Sequence, residues 1–558
     1  MLITGAEAVV RVLLEQGCDT VFGYPGGQVT DLYDALYRKR RRIRHILTAH
    51  EQGAAHAADG YARASGKTGV VIATSGPGAT NLVTGIAAAY LDSVPMVAVT
   101  GNVSCQQIGR DSFQEVDIVG VTMPVTKHNF IVKHAEELPD TLRTAFQIAK
   151  SGRKGPVLVD IPKDVQTAKC HFTPAEAPVP AEPLRTADAD ALAEAAELLS
   201  EAARPLIYFG GGVISGEASA ELTALAERLD APMCCSLMGL SAVPHDHPRF
   251  LGMTGMHGTV AAAAAEDEAD LVLAAGVRFS DRATGNQRRF ARHAQIVHID
   301  IDNAELQKNI PAVLSICGDV KDALTRLLDM LPEQKHPAWN RRITSLRRAD
   351  AARRTVPENK AGSLHPYTII DTVQQLDSGA VIVTDVGQHQ MWTAQRYPLK
   401  TPRSFLTSGG LGAMGYGLGA AVGAYIATGK RPILFTGDGS FGMNLTELAT
   451  AVSQRVPVVI VVMRNGTLGM VRQWQTLFFG RRYAATTLDR KTDFIRVAEG
   501  FGAQGMHADS HEALYRAVKA ARSANGPFVI DCAVSAEELV FPMLPPGGSA
   551  ENIMTEIP

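Results

Sequence analysis

Residues 431–475 read RPILFTGDGSFGMNLTELATAVSQRVPVVIVVMRNGTLGMVRQWQ, and this stretch decides the fold. An apolar run at 433–435 leads into Gly437-Asp438-Gly439-Ser440, a helical segment follows, and a second apolar run ends at Asn465. This order predicts a strand, a glycine turn, a helix and a second strand. In an α/β fold both strands belong to one parallel sheet.

Asp438 and Asn465 stand at the carboxyl ends of these two predicted strands. Parallel strands deliver their carboxyl ends to one edge of the sheet, so two oxygen ligands can face one cation there. Mg²⁺ takes a few protein oxygens and completes its shell with water and phosphate oxygens, while glycines let backbone N–H groups approach a diphosphate. A Gly-Asp-Gly segment is also common as a plain tight turn. The downstream asparagine favours a metal-diphosphate site.

The Gly-Asp-Gly segment, its spacing to Asn465 and the wording GDGSFGMN and LGMVRQWQ resemble the thiamine diphosphate enzymes. Among these the stretch resembles the catalytic-subunit family of acetohydroxyacid synthase. The resemblance implies thiamine diphosphate and Mg²⁺ as cofactors. It assigns the metal to Asp438, Asn465 and Thr467, and cofactor contacts to Gly437, Asp438, Gly439, Ser440, Asn465 and Met470.

Length, charge and cysteine content restrict the remaining possibilities. A chain of 558 residues is too long for one core and predicts three or four domains. The net charge of −3 offers no field for nucleic acid or an anionic membrane. Seven scattered cysteines without a CxxC pair predict reduced thiols. Without a membrane-spanning apolar run or a signal pattern, we expect a cytoplasmic protein with no nucleic-acid or membrane partner.

An internal repeat relates two distant parts of the chain. Residues 66–76, GKTGVVIATSG, align with residues 429–439, GKRPILFTGDG, at an offset of 363 (429 minus 66). The same offset places Asn102 on Asn465 and Ser75 on Asp438. We therefore predict two α/β domains of one ancestry, of which only the second keeps the metal carboxylate.

The first of these domains is expected to hold the pyrimidine half of the cofactor. Glu51 begins a helix of small residues within HEQGAA. The favourable interaction of a carboxylate with the N-terminus of a helix is also sufficient to explain a glutamate at this position. In the resembling family this position is the acid that hydrogen-bonds the aminopyrimidine, which requires a carboxylate in apolar surroundings. DTVFGYPGG is a glycine turn at a strand end, a usual ligand position, where we expect Pro25 to contact the cofactor and Gly27 the reacting centre. Further matches to the family place Phe113 and Gln114 in GRDSFQE, and Lys163 in PKD, at the reacting centre.

A proline-rich stretch at 173–183 separates the first domain from a middle one. The middle domain opens with a strand into three glycines, which alone is weak support for a nucleotide. With LGMTGMHGT, AAGVRFSDRATG, HIDID and CGDV it resembles the family's FAD-binding domain, although Ser280 replaces a common aspartate. The resemblance assigns FAD contacts to Gly210, Gly211, Gly212, Met256, His257, Gly276, Arg278, Asp300, Asp302, Gly318 and Asp319.

Residues 333–363 are polar and basic, and a solvated helix before a linker explains them better than a nucleic-acid patch, because no aromatic residues interleave.

The last domain begins near His365 and brings two more loops to the same sheet edge. The resemblance assigns cofactor contacts there to Gly387, Gln388, His389, Gly412 and Met414. In the family a bulky residue at Met414 bends the cofactor, whereas a methionine alone would suggest core packing.

We predict an α/β protein of three doubly wound parallel-sheet domains: pyrimidine-binding at 1–172, FAD-binding at 188–332, and diphosphate- and Mg²⁺-binding at 364–558. The resemblance implies decarboxylation of pyruvate and condensation of the hydroxyethyl unit with pyruvate or 2-ketobutyrate. The products are 2-acetolactate or 2-aceto-2-hydroxybutyrate, in branched-chain amino-acid biosynthesis. Arg278 would pair with the acceptor's carboxylate, and Trp474 would line its pocket unless it is core.

Related activities stay open at this point: an FAD-dependent pyruvate oxidase, a 2-keto acid decarboxylase and glyoxylate carboligase. Glu51 disfavours glyoxylate carboligase, whose members carry an apolar residue there. Glu51, Asp438 and Asn465 together disfavour a non-catalytic flavin-binding protein. The resemblance further implies a homodimer or a dimer of dimers, in which the pyrimidine domain of one subunit faces the diphosphate domain of another, and a small regulatory subunit.

Overall fold

The computed structural model describes residues 1–557 and contains three six-stranded sheets flanked by helices. Every strand pair within these sheets is parallel. Each sheet lies within one of the three predicted ranges. The predicted α/β class with three parallel-sheet domains is therefore confirmed.

The first sheet has the strand order β3-β2-β4-β5-β7-β6, and β1 pairs with β8 antiparallel beside it. The strands of this domain are β1 Leu2–Thr4, β2 Thr20–Tyr24, β3 Arg44–Leu47, β4 Gly69–Ala73, β5 Met96–Asn102, β6 His128–Ile131, β7 Pro156–Pro162 and β8 Lys169–His171. Its helices are α1 Gly5–Glu15, α2 Thr30–Arg38, α3 Glu51–Ser65, α4 Pro77–Asn81, α5 Val83–Leu91, α6 Ile118–Thr122, α7 Leu138–Lys150 and α8 Lys163–Thr167.

The middle sheet has the order β11-β10-β9-β12-β13-β14. Counted within the sheet this is 3-2-1-4-5-6, the order of dinucleotide-binding folds, whose ligands bind where the order reverses. The strands are β9 Pro205–Phe209, β10 Met233–Cys235, β11 Phe250–Met253, β12 Leu271–Ala275, β13 Gln295–Asp300 and β14 Leu314–Cys317. The helices are α9 Ala189–Glu201, α10 Gly211–Ser215, α11 Ser219–Arg228, α12 Val260–Glu268, α13 Asp281–Thr284 and α14 Val320–Met330.

The last sheet has the order β16-β15-β17-β18-β20-β19, which repeats the order of the first sheet strand for strand. Its strands are β15 Val381–Thr384, β16 Phe405–Leu406, β17 Pro432–Gly437, β18 Val459–Arg464, β19 Gln504–Ala508 and β20 Phe528–Ala533. The helices from the connector onward are α15 Pro337–Arg353, α16 Pro366–Val373, α17 Gln388–Arg396, α18 Tyr416–Thr428, α19 Asp438–Asn444, α20 Leu448–Ser453, α21 Gly469–Phe478, α22 Phe494–Gly500 and α23 His511–Ser523.

The shared strand order agrees with the internal repeat, because β4 and β17 begin 363 residues apart, as do β5 and β18. Within one chain the two sister domains meet through α3 and α18, helices rich in glycine and alanine. At Gly423 a Cβ would lie 1.8 Å from the Ala57 backbone oxygen, so only glycine permits this approach. The contact fixes the start of α3, and therefore Glu51, relative to the last domain.

The segments between domains also agree with the sequence. Residues 173–183 form no helix or strand, and α15 covers the basic stretch. Arg342 of α15 pairs with Glu268 of α12 at 2.5 Å, which attaches the connector to the middle domain, whereas Arg354 pairs with Asp350 of α15 itself at 2.9 Å. All seven cysteines are free. Across residues 1–557, every helix is too short or too polar to cross a membrane.

Candidate active site

A cleft of about 1500 Å³ opens between the carboxyl edges of the middle and last sheets. The glycine turns after β9 and β17 both reach it, which explains why loops distant in sequence share one cavity. The predicted site residues that line it are Gly210, Gly211, Gly212, Met256, His257, Gly276, Arg278, Asp300, Asp319, Gly387, Gln388, His389, Gly412, Met414, Gly437, Asp438, Gly439, Ser440, Asn465, Thr467, Met470 and Trp474.

Asp438 and Asn465 meet at this edge, as their positions after β17 and β18 predict. The Asp438 carboxylate is buried and accepts hydrogen bonds from the N–H groups of Gly439 at 3.1 Å and Gly466 at 2.8 Å. Burial raises the pKa of Asp438. The nearby Thr467 hydroxyl is buried without a partner among the described residues. A buried carboxylate beside unused oxygen atoms fits a cation.

The composition of this set indicates which cation fits. No three His, Cys, Asp or Glu side chains within residues 1–557 are grouped to hold a metal ion. A metal at Asp438 must therefore complete its shell with amide, backbone, water and ligand oxygens. Mg²⁺ bound together with a diphosphate has this requirement, so the residues present fit that pair.

The start of α17 supplies polar groups beside Asp438 and Asn465. His389 is buried, its Nε2 atom has no partner among the described residues, and burial lowers its pKa to about 3. Its imidazole is therefore neutral at pH 7 and can hydrogen-bond a ligand. Gln388 donates to Gln473 Oε1 at 3.1 Å and accepts from Asn465 Nδ2 at 3.2 Å, which fixes the asparagine.

The middle-domain end of the cleft has the features that a dinucleotide needs. The glycine turn after β9 lies at the point where the strand order reverses. His257 is buried, contacts the Pro542 carbonyl through Nδ1 at 3.1 Å, and has an unpartnered Nε2 within the described residues. Burial raises the pKa of Asp300 to about 6. This end therefore offers hydrogen-bonding groups that the protein itself leaves unused.

Two residues predicted to contact FAD lie outside the cleft, and the cleft is also lined by cationic residues that the sequence analysis did not predict. Asp302 and Gly318 do not line the cleft; Asp302 instead accepts a hydrogen bond from Arg153 at 3.2 Å. Arg153 and Lys154 come from the first domain and do line it. Their position in SGRKGP, a cationic turn before an apolar run, was the available indication, since a diphosphate attracts cations.

The remaining predicted residues lie on the first domain, away from the cleft. Gly27, Phe113, Gln114 and Lys163 line a separate open pocket, where Lys163 Nζ donates to the Gly27 carbonyl at 2.7 Å. Phe113 is 84% exposed, which is unusual for a phenylalanine. Pro25 lies exposed after β2. In a single chain, the surface that these residues form is open to solvent.

Glu51 lines neither cavity. It is the first residue of α3 and is buried among small residues, as predicted. One carboxylate oxygen accepts a hydrogen bond from Asn81 Nδ2 at 2.9 Å. The structure therefore brings most residues predicted to bind the metal and FAD together in one cleft. The residues predicted for the pyrimidine half of the cofactor lie outside that cleft.

Trp474 and the C-terminal tail form one wall of the cleft. Trp474 is half-buried on α21 and packs edge-on against Phe478, with ring centroids 5.6 Å apart, so it is not a core residue. In the tail the Leu544 N–H donates to the Met256 carbonyl at 2.7 Å, and Val540 N donates to Gln473 at 2.8 Å. The tail thus links the middle domain to α21 beside the cleft.

Comparison with known proteins identifies the family. Three models of thiamine pyrophosphate enzyme domains match: the N-terminal TPP binding domain over 3–121, the central domain over 192–327 and the C-terminal TPP binding domain over 385–532. The probable acetolactate synthase large subunit of Methanocaldococcus jannaschii is 46% identical over 99% of this chain and 95% of its own. The acetolactate synthase isozyme 2 large subunit of Escherichia coli is 44% identical over the full length of both. The chain therefore belongs to the thiamine pyrophosphate (thiamine diphosphate) enzymes and, within them, to the acetolactate synthase large-subunit family.

Proposed function

We propose that this protein is the catalytic large subunit of an acetolactate synthase. It decarboxylates pyruvate and joins the hydroxyethyl unit to a second 2-keto acid, giving 2-acetolactate from pyruvate or 2-aceto-2-hydroxybutyrate from 2-ketobutyrate. These products belong to valine, leucine and isoleucine biosynthesis. The observation that carries the proposal is the shared cleft. Asp438 and Asn465, which suit a metal ion, line the same cleft as Arg278 and Trp474, which suit a keto acid.

Thiamine diphosphate, when bound, supplies the electron sink for decarboxylation. Asp438 and Asn465 would hold Mg²⁺, with Thr467 as the third protein ligand. The backbone at Gly437 and Gly439 can approach the diphosphate closely, since these two residues have no side chain. The neutral His389 imidazole would add a hydrogen bond, and Met414 at the cleft wall would support the ring system.

Glu51 would carry the proton chemistry of the pyrimidine half-site. Its carboxyl group is buried among small residues, and Asn81 holds it through one oxygen. The other oxygen is free to share a proton with the N1′ atom of the aminopyrimidine. Phe113, Gln114 and Lys163 would cover the reacting centre from the first domain and exclude water.

The acceptor keto acid would bind between the middle and last domains. Arg278 lines the cleft, and its Nη1 atom donates to the uncharged Leu91 carbonyl at 2.8 Å. Its charge is therefore available to the carboxylate of the acceptor. Trp474 lines the same cleft and would contact the extra methyl group of 2-ketobutyrate, a contact worth roughly 1–3 kcal/mol.

FAD is the cofactor that best fits the middle domain. The glycine turn at 210–212 and the cations Arg153 and Lys154 suit a dinucleotide diphosphate. The overall reaction involves no net oxidation, so the flavin would serve a structural purpose. Ser280, where related chains carry an aspartate, lines the cleft as well and would affect flavin affinity rather than the chemistry.

The assembly we propose is a homodimer or a dimer of dimers. Within one chain Glu51 and Phe113 do not reach the cleft that holds Asp438. A second chain would cover the exposed first-domain surface and complete each site. Because the relatives are named large subunits, we also propose a small regulatory partner. The cytoplasmic location stays a prediction.

One incubation tests the activity. The purified protein, loaded with thiamine diphosphate, Mg²⁺ and FAD, is given pyruvate in air, and acetolactate, acetaldehyde and peroxide are measured together. Acetolactate as the main product supports the proposal. Peroxide in equal amount to released CO₂ would instead indicate a pyruvate oxidase, and acetaldehyde alone a decarboxylase.

A further inference from the structure

A smaller cavity, the side pocket, lies beside the cleft, where the middle domain meets α15 and α17. Its lining includes His245 and His257 of the middle domain, Arg347 and Asp350 of α15, and Gln395 of α17. Its volume of about 190 Å³ suits a ligand of roughly five to ten non-hydrogen atoms, since a water molecule occupies about 30 Å³.

The charged side chains at the end of the connector give the side pocket an excess of positive charge. Arg347 donates through Nη1 to the uncharged carbonyl of Pro248, so this bond leaves its charge unbalanced. Arg354 also lines the pocket and pairs through Nε with Asp350 at 2.9 Å. The other oxygen of Asp350 accepts from Val260 N at 3.0 Å. Apart from the histidines, two guanidinium groups minus one carboxylate leave a net charge of +1 on the lining.

His245 brings an unused hydrogen-bonding atom to the side pocket. Its Nε2 atom is buried and has no partner among the described residues. Burial, and then the nearby Arg354 cation, lower the pKa of His245 to about 4, so the ring is neutral at pH 7. A neutral imidazole donates or accepts at Nε2, depending on which nitrogen carries the proton. A hydroxyl group suits both cases because it can donate as well as accept.

Much of the remaining wall is apolar. Leu240, Phe250, Leu251 and Ala394 line the pocket together with the guanidinium groups. Because a charge taken out of water must be balanced by a partner, a lining of net charge +1 suits a ligand with one negative charge. The ligand that fits is therefore a small monoanion with a hydroxyl group and a short hydrocarbon part.

We propose that the side pocket binds a short-chain 2-hydroxy acid. Its carboxylate pairs with the guanidinium groups of Arg347 and Arg354, and its hydroxyl group contacts His245 Nε2. The product 2-acetolactate belongs to this class of compound. Product as the natural occupant is the part of the inference that rests on the proposed function.

His257 connects the side pocket with the cleft, because it lines both. Its backbone carbonyl accepts from Gln395 Nε2 at 2.9 Å, and the same Nε2 atom donates to the Phe541 carbonyl of the C-terminal tail at 3.3 Å. Gln395 itself lines the side pocket. An occupant therefore lies against the residues that hold His257 and the tail beside the cleft.

Calorimetric titration of the full chain, with FAD but without thiamine diphosphate, tests the chemistry of the ligand. The probe is 2-hydroxyisobutyrate, a stable acid, and we expect saturable binding with a Kd on the order of 1 mM. Isobutyrate, which lacks the hydroxyl group, and 2-hydroxyisobutyramide, which lacks the charge, should each bind roughly 10-fold more weakly. No binding of the hydroxy acid, or equal affinities for the three compounds, overturns the proposal.

Arg347→Gln tests the location of the site, and Arg348→Gln is its matched control. Arg347 lines the side pocket, whereas its neighbour on α15 is exposed and does not line it. Arg347→Gln should weaken binding of 2-hydroxyisobutyrate by roughly 10- to 100-fold, because a charge-assisted hydrogen bond is lost. Arg348→Gln should keep the wild-type Kd. A wild-type Kd in both variants would place the ligand outside the side pocket and overturn the proposal.

His245→Phe tests the hydroxyl contact without removing a charge. The imidazole packs against Phe250, with ring centroids 5.2 Å apart, and a phenylalanine keeps this contact while losing Nε2. A variant with the wild-type Tm and flavin content should bind isobutyrate and 2-hydroxyisobutyrate with equal affinity. If it still prefers the hydroxy acid, the assignment of His245 is wrong.

Flavin fluorescence of the holoenzyme tests the connection through His257. In the wild type, 2-hydroxyisobutyrate should change the flavin emission with the Kd found by calorimetry, and Arg347→Gln should shift this titration by the same factor. Binding without any change in emission contradicts the connection.

Competition identifies the natural occupant. 2-Acetolactate, added to the chain without thiamine diphosphate, should displace 2-hydroxyisobutyrate from the wild type, and a failure to compete excludes the product as the ligand. If the wild-type protein makes no acetolactate, the proposed function is wrong, while calorimetry with 2-hydroxyisobutyrate still decides whether the side pocket binds a 2-hydroxy acid.

Discussion

The first and last domains share one strand order, yet their sheet edges carry different chemistry. In the last domain Asp438 follows β17, and its carboxylate faces the cleft with Asn465. In the first domain Ser75 takes the place of Asp438, and Asn102 donates to Asp160 at 2.6 Å inside the domain. The carboxylate of Asp438, and an asparagine that faces the cleft instead of an aspartate within the domain, therefore separate an edge that fits a cation from one that does not.

The segments after the fourth strand of each sheet differ as well. After β18 the chain forms α21, which presents Trp474 to the cleft. After β5 it forms an irregular loop that ends with Phe113 on an open surface. The two domains therefore share a scaffold but differ at the site edge. Under the proposed function, the last domain would hold the diphosphate and the first domain of a neighbouring chain would cover it.

The largest expected effect comes from changing Asp438. Ser75, the residue at the equivalent position of the first domain, provides the comparison. Asp438→Ala should lower acetolactate formation by roughly 10⁴-fold or more, because the metal loses its only carboxylate and with it several kcal/mol of charge stabilisation. Ser75→Ala, the matched change in the sister domain, should cost only a few-fold, since the Ser75 hydroxyl has no partner within residues 1–557. Acetolactate assays of both variants make the comparison.

Flavin absorbance provides the control for this pair. The glycine turn at 210–212 belongs to the middle domain, so Asp438→Ala should retain its FAD. Joint loss of flavin and fold would show that Asp438 is structural and would remove the contrast between the two edges.

A second prediction compares two buried glutamates at the interface of the sister domains. Glu51→Gln should reduce acetolactate formation by roughly 10²-fold or more, because the amide cannot share a proton with the pyrimidine. Glu447 accepts N–H bonds from Ala49 and His50 and a hydroxyl bond from Thr450. A glutamine keeps the two N–H bonds through its Oε1 atom, and its NH₂ group can donate to the Thr450 hydroxyl, so Glu447→Gln should stay within a few-fold of the wild type. Equal rates for the two variants would contradict the role of Glu51.

A smaller effect is expected at α21. Trp474→Leu should erase most of the preference for 2-ketobutyrate over pyruvate, since one methylene in an apolar pocket is worth roughly 10- to 200-fold. Acetolactate formation from pyruvate alone should change little. Trp339→Leu, which alters a buried tryptophan of α15 that does not line the cleft, should lower stability and leave the product ratio unchanged. A competition assay with both keto acids in which Trp474→Leu keeps the wild-type ratio would contradict the pocket assignment.

The residues that local pattern placed correctly are those at strand ends. Asp438 and Asn465 follow apolar runs whose length and spacing specify a parallel sheet, and that sheet brings them to one edge wherever the rest of the chain lies. The repeat likewise predicted two α/β domains of one ancestry, and the shared strand order agrees with it, because aligned apolar runs produce aligned strands. This part of the site depends on short-range sequence alone.

Contacts between domains could not be predicted in the same way. Arg153 lines the middle-domain cleft from the first domain and takes Asp302 as a hydrogen-bond partner, so an acid that looked like a ligand is used within the protein. Asp92 in LDSVP resembles an ordinary helix end. Its hydrogen bonds with Gly409 N and Gly410 N of the last domain depend on packing between segments more than 300 residues apart.

Mixing two inactive chains tests most directly whether each site is assembled from two subunits. Glu51→Gln and Asp438→Ala chains carrying different affinity tags are co-expressed, and the heterodimer is isolated with both tags. If the first domain of one chain completes the cleft of the other, one site carries both defects and the other carries none, so about half of the wild-type activity returns. A heterodimer as inactive as either parent would contradict the account, because every site would then lie within a single chain.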